Sequence, residues 1–285
     1  MKVCRFNDDR IGIVLGDRVY DVTRLVRSAR NTNESTATDP VLLALTSLQK
    51  MPARDIEAGE SFPLASLRLL APISAPGKII GAPVNYRAHI REMTAAGLLT
   101  GTDLTTIGEA GLFLKATSSL VGPSQGIRIR FPERRTDHEV ELVVIIGRMA
   151  SEVTADCALE HVAGYCIGLD ITLRGREERS FRKSIDSYSV IGPWLTTADE
   201  IPDPQDLRLV LRSNGVIRQD ASTSDMVYGV ARLIAYASTF YTLHPGDILF
   251  TGTPPGVSAI SHGDELEADC TQLGAMQVTV SAHER

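Results

Sequence analysis

The segment DHEVELVVIIG, residues 137–147, joins an alternating acidic pattern to an unbroken apolar run. The run at 142–146 carries no polar side chain, which is typical of a strand buried on both faces of a sheet. If the strand began before this run, the side chains of Asp137, Glu139 and Glu141 would point to one face. Buried carboxylates are costly unless a cation or hydrogen-bond donors compensate them, so the spacing favours a metal site over a charged edge strand.

On both sides of this segment the sequence predicts mainly strands. A convincing helical period is found at 225–243, and weaker helical segments at 41–48 and 85–99. The chain is therefore predicted to be α+β, mixed and rich in strands. The other strands predicted beyond residue 100 are GLFLKA (111–116), IRIRF (127–131), GYCIGLDI (164–171), LRLVLRSNG (207–215), DILFTG (247–252), DELEADC (264–270) and QVTVSA (277–282).

The beginning of the chain has a different pattern. Residues 1–30 alternate in short segments separated by turns, which predicts a small β-rich unit. A polar stretch at 28–40 and a proline-containing, extended stretch at 63–78 follow. We therefore predict a small N-terminal β-rich domain at 1–72 and a larger domain at 73–285.

Composition limits the kinds of partner. The 285 residues carry a formal charge of minus six and no basic tract, so we expect no nucleic acid and no anionic membrane as partner, and a small-molecule ligand instead. No apolar run reaches the length of a membrane span, and MKVCRFNDDR has charges where a signal peptide needs apolar residues, so a cytoplasmic location is expected. The four cysteines lack zinc or C-x-x-C spacing and are interpreted as reduced, mostly buried side chains.

Several familiar catalytic signatures are missing from the sequence. It contains no G-x-x-x-x-G-K-[ST], no G-x-G-x-x-G after a strand, no G-x-S-x-G and no H-E-x-x-H, which weakens nucleotide-binding and serine-hydrolase interpretations. Residues 180–183 match S-x-x-K, but the S-D-N and K-T-G elements that accompany it are missing, so we interpret the match as chance.

Six segments stand in order along the chain: KIIGAPVNYRAHIREM (78–93), FLKATSSLVGP (113–123), HEVELVVIIG (138–147), GYCIGLDITLRG (164–175), KSIDSYSVIGPWL (183–195) and LHPGDILFTGTPPG (243–256). Together they resemble the motifs of the fumarylacetoacetate hydrolase family, from about residue 76 to the C-terminus. The resemblance implies a strand-rich mixed β-sandwich or roll, to which many bacterial members add a small N-terminal β domain. It also implies a homodimer.

The resemblance implies that Glu139, Glu141 and Asp170 are the ligands of Mg²⁺ or Mn²⁺. Their chemistry agrees independently, because an all-oxygen ligand set suits these ions better than zinc. Asp137 shares the face and is predicted to support the ligands. His138 is expected on the opposite side of the strand, with a structural role.

The resemblance assigns His89 and Glu92 to the activation of water. Their i, i+3 spacing places both on one face of a helix, where Glu92 can orient the imidazole. A His-x-x-Glu pair without this context would more often be a solvated surface pair. Lys183 matches an active-site lysine that neutralises oxyanion charge, although alone it would be taken for an ordinary lysine at the end of a strand.

Three further residues match substrate-binding positions of the family, each with an alternative. Arg174 is predicted to bind substrate or to form a salt bridge with a neighbouring acid. Thr253 is predicted to meet a substrate carboxylate through its hydroxyl or amide, or to belong to a tight turn. Lys115 is predicted to contact the acid from the other side.

The implied reaction is metal-assisted hydrolysis of a carbon–carbon bond in a 2,4-diketo acid. Water attacks the 4-carbonyl, and the products are pyruvate and a second acid. Acylpyruvates from aromatic catabolism, such as fumarylpyruvate or maleylpyruvate, are the expected substrates, and a further basic residue must hold their distal carboxylate.

Two alternative functions are also compatible with the sequence. The same site is suited to decarboxylating oxaloacetate or to isomerising or hydrating a related keto acid, and a non-catalytic keto-acid binding protein is a more distant possibility. The sequence departs from the family pattern at Leu169, at Gly175 and over Glu177 to Arg182, and these departures bear on specificity.

Overall fold

The computed structural model describes residues 1–29, 39–95 and 107–282. Within these ranges the strands are β1 (Lys2–Phe6), β2 (Arg10–Leu15), β3 (Arg18–Asp21), β4 (Ser61–Pro63), β5 (Leu69–Leu70), β6 (Ile79–Gly81), β7 (Phe113–Lys115), β8 (Leu120–Val121), β9 (Ile127–Ile129), β10 (Thr136–His138), β11 (Val140–Ile146), β12 (Val162–Asp170), β13 (Thr172–Leu173), β14 (Ser189–Thr197), β15 (Arg208–Ser213), β16 (Val216–Ser222), β17 (Ile248–Phe250), β18 (Ser258–Ala259), β19 (Glu265–Cys270) and β20 (Gly274–Ala282). The helices are α1 (Thr23–Ala29), α2 (Pro40–Gln49), α3 (Ala53–Glu57), α4 (Arg87–Ala95), α5 (Ile107–Ala110), α6 (Ala155–Ala158), α7 (Arg179–Lys183) and α8 (Val230–Phe240).

The described strands form three sheets. The largest runs in the order β4-β3-β2-β1-β14-β12-β11-β17-β6-β7, with β5 paired to β1 and β8 paired to β14. A second sheet has the order β13-β10-β18, and a third the order β16-β15-β19-β20-β9. The predicted α+β, strand-rich class is confirmed.

Strand β11 lies at the centre of the largest sheet and is buried along its whole length. Leu142, Val144 and Ile146 pack into one apolar cluster, together with helix α8. Val143 and Ile145 pack on the opposite face, into a second cluster. This is the strand buried on both faces that the apolar run predicts, and each such side chain contributes roughly 1.5–3 kcal/mol through burial.

The strand does not continue through the acidic residues, as the alternation had suggested. Strand β10 ends at His138 and belongs to the small sheet with β13 and β18, while β11 begins at Val140. Glu139 therefore lies between two strands of different sheets. His138 is buried, and its ring contacts Gln219 at 3.2 Å and Ser258 at 2.7 Å, which is a structural environment.

The N-terminal strands are continuous with the large sheet. Strand β1 pairs antiparallel with β14, in the register Val3 to Leu195, and so crosses the boundary predicted near residue 72. The division into domains at 1–72 and 73–285 stays a prediction.

Each of the three segments predicted as helical contains a helix, but the helices do not all have the predicted bounds. Helix α2 agrees with the segment predicted at 41–48, whereas α8 begins at Val230, because Met226 instead forms a β-bridge with Tyr86. Helix α4 ends at Ala95, and the remainder of the predicted segment, 96–99, lies outside the described residues, as do most of the polar stretch at 28–40 and of the loop before residue 107.

Strands β14 and β16 were not predicted. Pro193 in the middle of β14 argues against a central strand, because proline cannot donate to the ladder. The structure accommodates it with a shift of register against β12. None of the helices in the described ranges is long and apolar enough to cross a membrane.

Candidate active site

The pairing of β11 with β12 brings three carboxylates together. The strands are antiparallel, with Val140 opposite Leu169, and the Asp170 amide donates to the Glu139 carbonyl at 2.9 Å. Directly opposite residues and residues two apart share a face, so Glu139, Glu141 and Asp170 converge. Each offers an oxygen within 4.8 Å of the others, and all three are buried.

Two lysines neutralise part of this acidic cluster. The Lys183 Nζ, at the end of α7, donates to Glu139 at 2.8 Å, to Asp170 at 2.6 Å and to the Thr172 hydroxyl at 2.6 Å. The Lys115 Nζ donates to the other oxygen of Asp170 at 2.5 Å and to the Tyr188 carbonyl at 2.8 Å. Both ammonium groups are buried, so the contacts are largely unscreened by solvent.

The charge balance differs between Glu139 and Glu141. Burial alone would raise the pKa of Glu139, but the charges of Lys183 and Arg174 outweigh it and hold that pKa below its usual range. Burial, reinforced by the charge of Asp170, raises the pKa of Glu141 well above its usual value. Glu141 accepts a hydrogen bond from the Gly252 amide at 2.6 Å, which compensates its charge only in part.

The donor set fits a hard divalent cation. All three side chains offer carboxylate oxygens, which Mg²⁺ and Mn²⁺ prefer, and none is a thiolate or an imidazole. The buried and undercompensated charge of Glu141 is the kind of group that a cation stabilises.

One member of the predicted pair on α4, His89, lies at the same cavity, and Glu92 lies behind it. The His89 Nδ1 lies 3.2 Å from a Glu92 carboxylate oxygen, and His89 lines a cavity of about 190 Å³ together with the three carboxylates and Lys183. Glu92 accepts from the Gly256 amide at 3.0 and 3.1 Å. The imidazole is therefore oriented by a carboxylate that is itself held by the main chain.

The loop after β17 donates hydrogen bonds both to the cluster of three carboxylates and to Glu92. Its Gly252 amide donates to Glu141, and its Gly256 amide donates to Glu92. Asn85, just before α4, is fully buried and donates to the Thr251 carbonyl at 2.7 Å. These bonds fix the loop between β11 and α4, and so set the position of His89 relative to the carboxylates.

The three predicted substrate-binding residues have different surroundings. Arg174 lines the cavity and contacts Asp137 at 2.6 Å and Glu139 at 3.1 Å, so the salt bridge that sequence offered as its alternative is present. Thr253 also lines the cavity, but its hydroxyl donates to the Val140 carbonyl at 2.9 Å. Lys115 lies behind Asp170, with its Nζ 5.0 Å from the centre of the Phe250 ring, and is not among the residues that line the cavity.

Sequence reasoning did not assign several residues of the cavity wall, four of which lie near Lys183 or on its helix. Phe113 and Thr172 lie close to Lys183, and helix α7 contributes Arg179 and Arg182. The available signal was the charged stretch EERSFR (177–182), which differs from the family pattern. It does not reveal which of its side chains face the cavity.

Gly256 gives a direct test of the Glu92 anchor. Its φ is +96°, and a Cβ at this position would collide with the Arg218 carbonyl oxygen. We expect Gly256→Ala to lower kcat/KM for the reaction catalysed in this cavity by about 10- to 100-fold. The loop must move to relieve the collision, and the amide that holds Glu92 moves with it.

The matched control for that variant is Gly263→Ala. Gly263 has a φ of +92° but has open space around it, so alanine there meets the same backbone penalty without a collision. Steady-state kinetics of both variants separate the two effects, and equal activities would contradict the anchoring role.

The family model described as "Fumarylacetoacetate (FAA) hydrolase C-terminal" matches residues 78–281. The chain belongs to the fumarylacetoacetate hydrolase family. The resemblance found in the six motifs is thereby confirmed.

Relatives within the fumarylacetoacetate hydrolase family cover three quarters or more of the chain. A maleylpyruvate hydrolase of Aquipseudomonas alcaligenes is 46% identical over 284 residues, which cover 98% of this chain and 99% of that protein. The crystal structure of a maleylpyruvate hydrolase from Sphingobium sp. SYK-6, in complex with manganese(II) and pyruvate, matches with a TM-score of 0.84 and 34% identity, covering 100% of both chains. An oxaloacetate tautomerase of Bos taurus is 34% identical over 227 residues, 75% of this chain and 69% of that protein.

Proposed function

We propose that the protein is a metal-dependent hydrolase of acylpyruvates, and that it cleaves a carbon–carbon bond of a 2,4-diketo acid to give pyruvate and a second acid. The observation that carries the proposal is the cavity that the three carboxylates share with His89, whose ring contacts Glu92. Similarity along the full length to a maleylpyruvate hydrolase supports maleylpyruvate or fumarylpyruvate as substrate. The reaction then belongs to aromatic catabolism.

The cofactor is Mg²⁺ or Mn²⁺, held by Glu139, Glu141 and Asp170. When bound, such a cation acts as a Lewis acid toward the oxygens of a 2-oxo acid. The solved relative that contains manganese and pyruvate supports this pairing of ion and substrate class.

The protein's own groups carry the proton and charge movements. His89, oriented by Glu92, accepts a proton from the water that attacks the 4-carbonyl. The bond between C3 and C4 then breaks, and its electron pair passes to the pyruvate fragment. A proton from solvent adds at C3 to complete pyruvate, and His89 releases to solvent the proton that it accepted. The Lys183 ammonium lies at the cavity and offsets the negative charge that develops on this fragment.

The three residues predicted to bind substrate are assigned different roles. For Thr253 the main-chain N–H is the better donor to a substrate carboxylate, since its hydroxyl proton goes to Val140. Arg174 bridges Asp137 and Glu139, and we propose that it holds the Glu139 carboxylate in position as well as facing the substrate. For Lys115 we propose that it holds Asp170 from behind, in place of the predicted contact with substrate.

Pyruvate release tests the proposal. Purified protein is incubated with a panel of acylpyruvates and with oxaloacetate, in Mg²⁺, in Mn²⁺ and in chelator. We expect fast acylpyruvate cleavage in either metal and its loss in chelator. Failure to release pyruvate from every acylpyruvate would refute the hydrolase.

A second candidate is enol chemistry on oxaloacetate, by tautomerisation or decarboxylation. The relative named as an oxaloacetate tautomerase favours it, and such a reaction needs the carboxylates and Lys183 but no attack by water. Preferential release of pyruvate from oxaloacetate in the same panel would support decarboxylation. Tautomerisation releases no pyruvate, and a faster change in the ultraviolet absorbance of oxaloacetate would support it instead.

Assembly and location are further parts of the proposal. We propose a homodimer acting in the cytoplasm, which is the assembly that the family resemblance implies and the location expected of an enzyme of small-acid catabolism. Light scattering tests the assembly, and a monomeric mass at micromolar concentration would contradict it.

A further inference from the structure

Helix α7 places two arginines, Arg179 and Arg182, on the wall of the cavity, and the reaction described above uses neither. We propose that Arg182, assisted by Arg179, binds the distal carboxylate of the substrate and so selects acylpyruvates that carry a second acid group. This inference rests on the proposed function and names the residues that set its substrate class.

The two arginines are left without an acidic partner. In the described part of the chain no carboxylate forms an ion pair with either guanidinium. Glu177 is taken by Arg134, at 2.9 Å. Glu178 is used at the start of α7, where it accepts from the Ser180 amide at 2.7 Å. The acidic residues of the EERSFR stretch therefore do not neutralise its cavity-lining arginines.

Gly175 preserves this arrangement. A Cβ at Gly175 would collide with the Arg134 guanidinium and the Glu177 carboxylate, the two groups that pair with each other. A side chain here would separate them and release Glu177 as a competing partner for the arginines. The departure of Gly175 from the family pattern thus helps to keep Glu177 paired with Arg134 and away from the cavity-lining arginines.

Arg182 is held in place before any ligand arrives. Its Nε donates to the Glu177 carbonyl at 2.8 Å and its Nη1 to the Leu173 carbonyl at 3.1 Å. The guanidinium has five N–H groups, so three remain for a ligand. Because the side chain is already ordered, a carboxylate that binds it loses little conformational entropy.

Arg179 adds a second cation at the same wall. Its guanidinium lies 5.7 Å from the centre of the Phe113 ring, which also has the Lys183 ammonium 5.5 Å away. Burial and the charges of Arg174 and Arg179 lower the pKa of Arg182. Cations gathered in this way repel one another, and an anion among them relieves the repulsion.

The cavity wall therefore offers separate groups for the two acid ends of a dicarboxylate. The 2-oxo acid end belongs with the carboxylates that hold the cation and with Lys183. Arginine pairs with a carboxylate through charge-assisted, often two-pronged hydrogen bonds, so the distal acid belongs with Arg182 and Arg179. An acyl group without charge would leave both guanidinium groups without an acidic partner.

The test compares a distal acid with its uncharged counterpart. Kinetics of pyruvate release are measured in Mn²⁺ for maleylpyruvate, for its distal methyl ester and for acetylpyruvate, with the wild type, Arg182→Gln, Arg179→Gln and Arg182→Lys. Arg176→Gln is the matched control, because Arg176 is exposed on the same segment and does not line the cavity.

We expect Arg182→Gln to lower kcat/KM for maleylpyruvate by about 10- to 100-fold, mainly through KM, with smaller losses in Arg179→Gln and Arg182→Lys. Activity on the ester and on acetylpyruvate should change by less than about threefold, which also shows that the variant is folded. An unchanged preference for the acid in both glutamine variants would overturn the assignment and leave the hydrolase intact. Absence of all acylpyruvate turnover in the wild type would instead overturn the proposed function and this inference with it.

Discussion

Glu141→Gln is expected to lower kcat/KM for acylpyruvate cleavage by about 1,000-fold or more. Glutamine removes one of the three carboxylates that hold the cation and keeps the size of the side chain. Its amide oxygen can still accept the hydrogen bond from Gly252. The loss is therefore one of charge at the metal, with the surrounding loop retained.

The same variant should not destabilise the metal-free fold. Glu141 is buried, and the raised pKa shows that its ionised form is unfavourable there. We expect the melting temperature in chelator to equal or exceed that of the wild type, and we expect the increase that Mn²⁺ gives the wild type to be lost.

Thermal unfolding with and without Mn²⁺, together with pyruvate release, measures both effects. Asp186→Asn is the control, because Asp186 is an exposed acid in the KSID segment. Metal-dependent turnover that survives in Glu141→Gln would contradict its role as a ligand. A fall of several degrees in chelator would show that the carboxylate stabilises the fold even without the cation.

His89→Gln is expected to reduce hydrolysis of acylpyruvates by about 100- to 10,000-fold. The imidazole is the group of the cavity that is positioned by Glu92, and Glu92 is held in turn by Gly256. Glutamine offers hydrogen bonds but cannot take a proton from water near neutral pH. If the wild type catalyses enol–keto exchange of oxaloacetate, measured by ultraviolet absorbance, His89→Gln should retain that activity. No water attacks a carbonyl in that reaction.

His244→Gln is the matched control, since His244 is exposed and lies outside the cavity. Hydrolysis that continues at the wild-type rate in His89→Gln would remove the imidazole from the mechanism. If hydrolysis and enol–keto exchange are lost to the same extent, His89 acts in a step that the two reactions share, for example in binding the substrate.

Much of this site could be read from the sequence because its key spacing is local. The two acids at positions 139 and 141 precede an apolar run that was bound to be buried, and His89 and Glu92 are one helical turn apart. The convergence of Asp170 with the two glutamates depends on the register between β11 and β12, which the sequence alone does not specify. The ordered motifs of the family supplied that information.

Where sequence reasoning failed, long-range pairing had overridden the local pattern. Strand β10 pairs with β13 and β18 in a separate small sheet, so the alternating acids do not lie on one continuous strand. Strand β14 keeps its central place in spite of Pro193, because β1 and β12 pair with it on either side. The inward turn of Arg179 and Arg182 depends on contacts with Phe113 and with the Glu177 and Leu173 carbonyls.

The pairing of β1 with β14 has a consequence for solubility. Without β1, the main-chain N–H and C=O groups of β14 around Leu195 would form an open edge, one strand away from the strand that bears Asp170. Trp194, which packs with Cys4, Phe6 and Val19, would be uncovered at the same time. An open edge beside exposed apolar surface is a template for intermolecular association, so the N-terminal hairpin protects the catalytic sheet against aggregation.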